Sequence, residues 1–443
     1  MAILNKKMKN SATIKFAAVA LLTLLLLIPL GMIQSLVQER EGRRDDAIKE
    51  VSSKWGGEQV LIGPVLSIPY KTYITSEVDG RSATAEKVNY AHILPETLNI
   101  EGIVLPEMRQ RGIYDIAVYN SNLNISGEFL NPNFAQLSIP EKDIIWNDII
   151  ISMGIPDMKG IKDKIALAWD GAEYTLQPGV ATGDVIASGV SAKIPLGSIN
   201  AKEKHVFSFQ LMLNGSKALQ FAPLGAQTSA SLASPWPNPS FNGAFLPDAR
   251  EVNENGFSAQ WKTLHLNRNY PQYWHGQATK EIADSAFGVE LLIPVDEYQK
   301  TTRSVKYGIM LISLTFLIFF LVEMFNRKHI HPIQYILVGL ALCIFYLLLL
   351  SLSEYINFNY AYLAASIATI LLIAGYVKTV FKNNKLALMQ SLILIIIYGF
   401  IYILLQLEDY ALLMGSIGLF IVLAAVMYIS RNIDWYGFNS DEK

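Results

Sequence analysis

The side chains that most often bind metals or move protons are thinly spread in this chain. Its six histidines are His92, His205, His265, His275, His329 and His331, and only His329 and His331 stand close together, just before Pro332. A protein metal site takes three or four ligands. No cysteine or carboxylate lies close to this pair in sequence, so it reads as two solvated loop histidines. There is no Gly-x-Ser-x-Gly elbow, no P-loop and no His-Glu-x-x-His. Asp and Glu are scattered between residues 38 and 304, and no spacing selects an acid–base pair. The sequence therefore assigns no catalytic residue, no metal and no cofactor, and the expected role is non-enzymatic.

The most unusual polar-tipped stretch is aromatic. Trp236, Phe241, Phe245, Trp261, Tyr270, Tyr273 and Trp274 fall among Pro235, Pro237, Pro239, Pro247 and Pro271. Such side chains can line a groove for glycan, peptide or lipid. They can equally pack as core between irregular loops, because large aromatics dominate cores by area.

These residues must be positioned by a membrane protein. Hydrophobic residues make up 51% of the chain, and the excess is concentrated in runs near 20 residues, the length of a helix that crosses about 30 Å of hydrocarbon. One run spans 16–37, behind an N-terminal segment 1–15 that contains Lys6, Lys7, Lys9 and Lys15. It is longer than a signal-peptide core and no Ala-x-Ala site follows, so it reads as an uncleaved anchor. Pro29 and Gly31 are expected to kink it. Five further runs occupy 305–430 and leave a tail at 431–443. Lys and Arg side the loops: Arg327, Lys328, Lys378, Lys382, Lys385 and Arg431 fall with the N-terminal lysines on one face. The loops at Glu354 and Glu408-Asp409 carry none. The positive-inside rule then places both termini in the cytoplasm and the segment 38–304 outside, in the periplasm of a Gram-negative cell. The helices contain no ionisable group near their middles, which argues against an ion-coupled carrier. The last four show a weak repeat, with Phe345, Leu349, Leu350, Leu352 and Tyr355 recurring as Phe400, Leu404, Leu405, Leu407 and Tyr410. Small faces at Ala411/Gly415 and at Ala364/Ala365/Ala368 are expected to pack helices closely.

The outer segment begins as a helical stalk over 38–55, stopped by Gly56-Gly57, and continues as short strands with Gly, Pro and Asn punctuation. Expected hairpins turn at Asn120, between 113–119 and 123–129, and at Asn214-Gly215; Asn253–Gly256 is a further turn. The fold class is thus a six-helix polytopic membrane protein with a large β-rich, sandwich-like outer domain. The single cysteine, Cys343, lies in an apolar run, so no intrachain disulfide supports that domain. The net charge of −2 gives no argument for nucleic acid. At the outer membrane boundary Lys300, Arg303 and Lys306 follow i, i+3, i+6 spacing. These cations are expected either to meet the acidic tips Glu354, Glu408 and Asp409 and orient the domain, or to bind lipid phosphates.

Three segments stand out, Arg111-Gly-Ile-Tyr114-Asp-Ile-Ala-Val-Tyr119, Pro239-Ser-Phe241-Asn-Gly-Ala-Phe245-Leu-Pro-Asp248 and Pro294-Val-Asp296-Glu-Tyr298-Gln. Val305-Lys-Tyr307, His331 through Glu354, and Gln406-Leu-Glu408-Asp409-Tyr410 follow them. In these segments and their order the chain resembles the CreD family. The resemblance implies an inner-membrane protein of an envelope-stress regulon under two-component control, linked to β-lactam response and colicin tolerance. It brings no catalytic residues. The implied partners are the lipid bilayer and an envelope component, whether peptidoglycan, lipid or envelope protein. A transporter or scramblase-like subunit is the alternative. Oligomeric state is not legible.

Overall fold

The computed structural model describes residues 12–78, 81–131, 137–194, 203–277, 281–292, 297–325, 330–407 and 410–431. The helices are α1 (Ala12–Leu25), α2 (Leu27–Trp55), α3 (Glu281–Asp284), α4 (Glu297–Lys306), α5 (Gly308–Phe325), α6 (Pro332–Ser353), α7 (Phe358–Phe381), α8 (Asn384–Gln406) and α9 (Ala411–Ser430). The strands begin β1 (Gln59–Val78), β2 (Arg81–Ile93), β3 (Thr97–Arg111), β4 (Tyr114–Leu130), β5 (Ile149–Gly154), β6 (Ala166–Trp169), β7 (Ala172–Thr175), β8 (Gln177–Pro178) and β9 (Gly189–Ile194). They continue β10 (Lys204–Ser216), β11 (Ala218–Phe221), β12 (Gln227–Ser234), β13 (Pro239–Gly243), β14 (Ala249–Asn253), β15 (Gly256–Leu264), β16 (Tyr273–His275) and β17 (Phe287–Leu291). The chain divides into two compact units, Met1–Asp45 with Val295–Lys443, and Asp46–Pro294.

The first unit is helical. Among the described residues six segments are long and apolar enough to cross a membrane: Lys15–Trp55, Gly308–Phe325, Pro332–Ser353, Phe358–Phe381, Asn384–Gln406 and Ala411–Ser430. The first helix is interrupted at Leu26, one turn before Pro29. Pro29 has no N–H for the Leu25 carbonyl, and its ring crowds the preceding turn, so the break falls upstream of the proline. Gly308 and Gly339 are contact points: a Cβ on Gly308 would meet Leu30, and one on Gly339 would meet Leu26 and Phe316. The small-residue faces differ from expectation. Ala361, Ala365 and Thr369 turn inward on α7, whereas Ala364 and Ala368 are exposed. On α9 the close approach is at Gly418, against Phe400, and Gly415 has open space around it. Spacing alone could not choose between adjacent stripes on helices that are apolar all round.

The second unit is two sheets around one core. One sheet runs β13-β17-β11-β1-β5-β9-β8, with β2 also on β1 and β16 on β2; the other runs β14-β15-β12-β3-β4-β10-β6-β7. A single cluster takes Leu61, Ile151 and Phe287 from the first sheet and Ile100, Leu211 and Trp261 from the second. Period-2 alternation causes this. Phe207, Phe209, Leu211 and Leu213 of β10 are buried and the residues between them through Met212 are exposed. The chain reverses between β14 and β15 at Asn253–Gly256, the turn the sequence marks.

The other two expected turns are corrected. Asn120 lies inside the continuous strand β4, paired with Leu105 on one side and Asn214 on the other. The reversal is at Gly112, whose φ of 63° suits the left-handed region that glycine tolerates. Asn214-Gly215 does not turn either, because β10 pairs with β4 throughout. Gly215 is needed there for a different reason: a Cβ would collide with the Tyr119 ring. The chain then crosses to the other sheet at Lys217, where φ is 61°, and β11 pairs with β1 and β17.

The helix end at Trp55 is stitched to the β unit. Arg111 donates to both Glu50 oxygens at 3.0 and 3.1 Å. Arg109 sits 4.6 Å above the Trp55 ring, and Trp55 Nε1 donates to the Tyr119 carbonyl at 3.2 Å. Hydrogen bonds from Lys54 and Arg111 hold the exposed Glu50 carboxyl below its usual pKa.

Candidate functional sites

The aromatic stretch becomes largely core. Trp261 is 2% exposed and Tyr270 6%, so neither lines a surface. Trp261 alternates with exposed neighbours on β15 and points inward, with ring centroids 5.9 Å from Phe241 and 5.6 Å from Phe287. Phe241 also meets Phe257 at 5.6 Å, and Phe245 meets Phe287 at 6.1 Å. The Tyr270 hydroxyl is held by Ser285 Oγ at 2.9 Å and donates to the Pro223 carbonyl at 3.2 Å. Burial raises the pKa of that hydroxyl. Trp236 is half-buried and its Nε1 bridges the Asn238 and Leu292 carbonyls at 3.1 Å each. Of the seven aromatics only Tyr273 is classed as exposed, at 39%.

Sheet register assembles a polar cluster that sequence spacing does not reveal. Ser67 on β1 and His92 on β2 are direct cross-strand partners. Ser67 Oγ lies 3.0 Å from His92 Nδ1, and Asp184 Oδ2 lies 3.5 Å from Nε2. Trp274 packs on the imidazole at 5.5 Å. Serine, histidine and aspartate in this order can activate a hydroxyl. Here the serine is 3% exposed and the histidine 0%, so both are shut off from solvent, while the Asp184 side chain stays partly exposed. Burial lowers the His92 pKa, with the Asp184 carboxylate opposing. His205, also buried, holds Asp170 at 2.7 Å and stacks on Trp169 at 5.5 Å and 14°.

The basic strip lies on α4, whose inward face is Tyr298, Thr301, Ser304 and Val305. Arg303 donates to the carbonyls of Leu404 and Leu407 at 3.3 and 2.6 Å. It thereby meets the carbonyl end of α8, where unpaired C=O groups and the helix dipole favour a cation. Lys300 stands 5.8 Å from the Phe358 ring, and Lys306 is exposed. Glu354 accepts from the Tyr298 hydroxyl at 3.2 Å and lies 3.8 Å from Arg40 Nε. The described partners of Glu354 are thus Tyr298 and Arg40. Glu408 and Asp409 lie outside the described residues, as do Lys6, Lys7, Lys9, Arg327, Lys328 and His329.

Glu323 is a buried carboxylate that accepts from three donors. Its Oε1 accepts from Lys15 Nζ at 2.7 Å and from the Ile330 amide at 3.1 Å, and its Oε2 accepts from the Tyr335 hydroxyl at 3.0 Å. This ties α1, α5 and α6 together. Nearby, His331 Nδ1 accepts the Ile333 amide at 3.3 Å and its own amide donates to Gln334 at 3.0 Å, which makes it the cap of α6.

Comparison with known proteins agrees with this architecture over nearly the whole length. The sequence model described as Inner membrane protein CreD matches residues 11–436. The Inner membrane protein CreD of Escherichia coli (strain K12) is 35% identical over 417 residues, which cover 94% of this chain and 92% of that protein. With six membrane-length helices and a two-sheet domain, the chain belongs to the CreD family of inner membrane proteins.

Proposed function

We propose that this protein maintains the cell envelope under stress through a non-enzymatic module formed by its β-rich unit, held outside the inner membrane with both chain termini in the cytoplasm. The observation that carries the reading is the unit's organisation. A domain with its own continuous core is inserted between one membrane-length helix and five others. The family implies the envelope role, and the charge bias of the loops supports the orientation. A domain that binds an envelope component needs a stable scaffold and exposed surface, and this unit has both.

The test has two parts. Reporter fusions at residue 150, at Glu354 and after residue 431 should report periplasm, periplasm and cytoplasm. A strain lacking the protein should lose β-lactam or colicin resilience, regain it with the full chain, and fail to regain it when residues 57–292 are replaced by a short linker. Restoration by the truncated chain would overturn the reading. The alternative, a lipid transporter or scramblase-like subunit, draws on buried groups of α6 and α8. The Tyr346 hydroxyl and Gln390 Nε2 have no hydrogen-bond partner among the described residues. Lipid flipping by the purified protein in vesicles would favour it.

A further inference from the structure

The span between β8 and β9 is a strap closed at its neck. Gln177 and Pro178 pair with Ser191 and Val190, and the Gly179 amide donates to the Gly189 carbonyl at 2.9 Å. Residues 180–188 form neither helix nor strand. Among the described residues, no backbone hydrogen bond ties 180–187 to the rest of the unit. A short loop with close ends, packed by its own side chains, is an Ω-loop, a form that frequently carries function. Weak backbone anchoring also makes it one of the first parts of a domain to open.

Side chains hold the strap down. Ile186 is 4% exposed and seats over β5, where a Cβ on Gly154 would come within 3.0 Å of it. Val180 and Val185 pack against the core. Asp184 reaches His92, with Oδ2 at 3.5 Å from Nε2, and Nε2 has no hydrogen-bond partner among the described residues.

His92 is 0% exposed, enclosed by three other elements. Ser67 faces it from β1, Trp274 faces it from β16 and Asp184 from the strap. Ser67 and Trp274 carry no charge. Tyr273 and His275 alternate to the other face of β16 and are exposed, and Tyr90 shares the His92 face of β2. Asp184 is therefore the charge that acts on the imidazole. Its side chain is 25% exposed, so solvent damps its attraction. Burial disfavours an imidazolium, whereas an open strap admits water to it. A proton on His92 and a closed strap thus compete.

We propose that the 179–189 strap is an acid-released cover on the β unit, with protonation of His92 as its trigger. The proposal rests on the reading of the unit as an envelope module outside the inner membrane, where pH follows the surroundings. The strap stays closed above about pH 6.5 and is released progressively below it. If the closed form took up no proton, opening would rise about tenfold between about pH 7.5 and about pH 5.5, and the pull of Asp184 reduces that rise. Release uncovers Ser67 and His92.

The test uses the full chain in lipid nanodiscs, with the buried Cys343 replaced by serine. One thiol is introduced at a time: Ile186→Cys beneath the strap, Gly183→Cys at its exposed crest, and Ser121→Cys in the buried part of β4. Labelling by dithiodipyridine, which reacts in acid as well as at neutrality, reads access. The Ile186→Cys rate divided by the Gly183→Cys rate should rise between about pH 7.5 and about pH 5.5, by no more than about tenfold, while Ser121→Cys stays protected. His92→Gln should abolish the rise. Asp184→Asn removes the opposing charge at a partly exposed position, so it should label faster than its parent at the acidic end even if His92→Gln does not fold. A flat or falling ratio, an equal rise in His92→Gln, slower labelling in Asp184→Asn, or a parallel rise at Ser121→Cys from global unfolding overturns the proposal. The underlying reading fails separately. Reporter fusions that place the unit in the cytoplasm sink the reading and leave the release intact. A unit shown to lie outside, with labelling indifferent to pH, keeps the reading and sinks the strap.

Discussion

Replacing Trp261 by alanine should unmask how much of the β unit rests on its aromatic core. The side chain is 2% exposed and packs on Phe241 and Phe287. A buried aromatic removes about 150–250 Å² from water, which at about 25 cal/mol per Å² is about 4–6 kcal/mol. An unfolded chain already hides about 10–40% of that area, which brings the expected loss to about 3–5 kcal/mol, the range of other large-to-small aromatic changes. Trp261→Phe keeps a ring and removes a buried Nε1–H that has no partner among the described residues, so it should cost only about 1–2 kcal/mol. Tyr273→Ala, at an exposed ring, should stay within about 0.5 kcal/mol. The assay is urea unfolding of residues 46–294 followed by far-UV circular dichroism, with the slope unchanged between variants. The wild-type fragment should unfold cooperatively, at a midpoint indifferent to chelator. In a thermal scan Trp261→Ala should lower the midpoint by about 6–20 °C. A loss below about 1 kcal/mol for Trp261→Ala, or an equal loss for Tyr273→Ala, would refute the placement of these rings.

Two further outcomes follow from buried charge chemistry. Burial lowers the His92 pKa, so the unfolded chain holds more protons below its unfolded value of about 6.5. Stability is therefore intact above that pH and falls as pH drops, by at most about 1.4 kcal/mol per unit. Urea midpoints of the 46–294 fragment between about pH 7 and about pH 5 should show this fall, and His92→Gln should flatten it; parallel curves would remove His92 as the cause. Glu323→Leu strands the Tyr335 hydroxyl and the Ile330 amide while Lys15, only partly buried, can rehydrate. The full chain in detergent should lose about 2–3 kcal/mol, and Glu323→Gln should lose less because it retains acceptors; the reverse order would contradict the clasp.

Much of the architecture was legible because its signals are one-dimensional. A run of apolar residues long enough to cross a bilayer needs no partner to be recognised, and alternation along Phe207–Leu213 marks a half-buried strand by itself. The turns were less legible. Asn120 and Asn214-Gly215 carry strong turn chemistry, yet sheet pairing on both sides of β4 holds them extended. What selects Gly215 is the Tyr119 ring, nearly a hundred positions away. The Ser67–His92–Asp184 cluster was hidden for the same reason, since only the pairing of β1 with β2 and the loop before β9 bring those side chains together. The aromatic stretch could be seen but not assigned, because composition does not reveal which face of a strand points inward.

The last strand has a consequence for how the protein is made. β17 pairs with both β11 and β13, and β11 in turn pairs with the first strand, β1. The nine-stranded sheet therefore cannot be completed until residue 291 has left the ribosome. By then the chain is on the verge of delivering α5 and the helices behind it. A nascent chain paused before that point exposes unpaired β11 and β13 edges and an open apolar core, the state most prone to misassembly and most in need of a holding chaperone. Assembly of the domain and insertion of the later helices are thus consecutive steps of one biogenesis schedule, with β17 as the hinge between them.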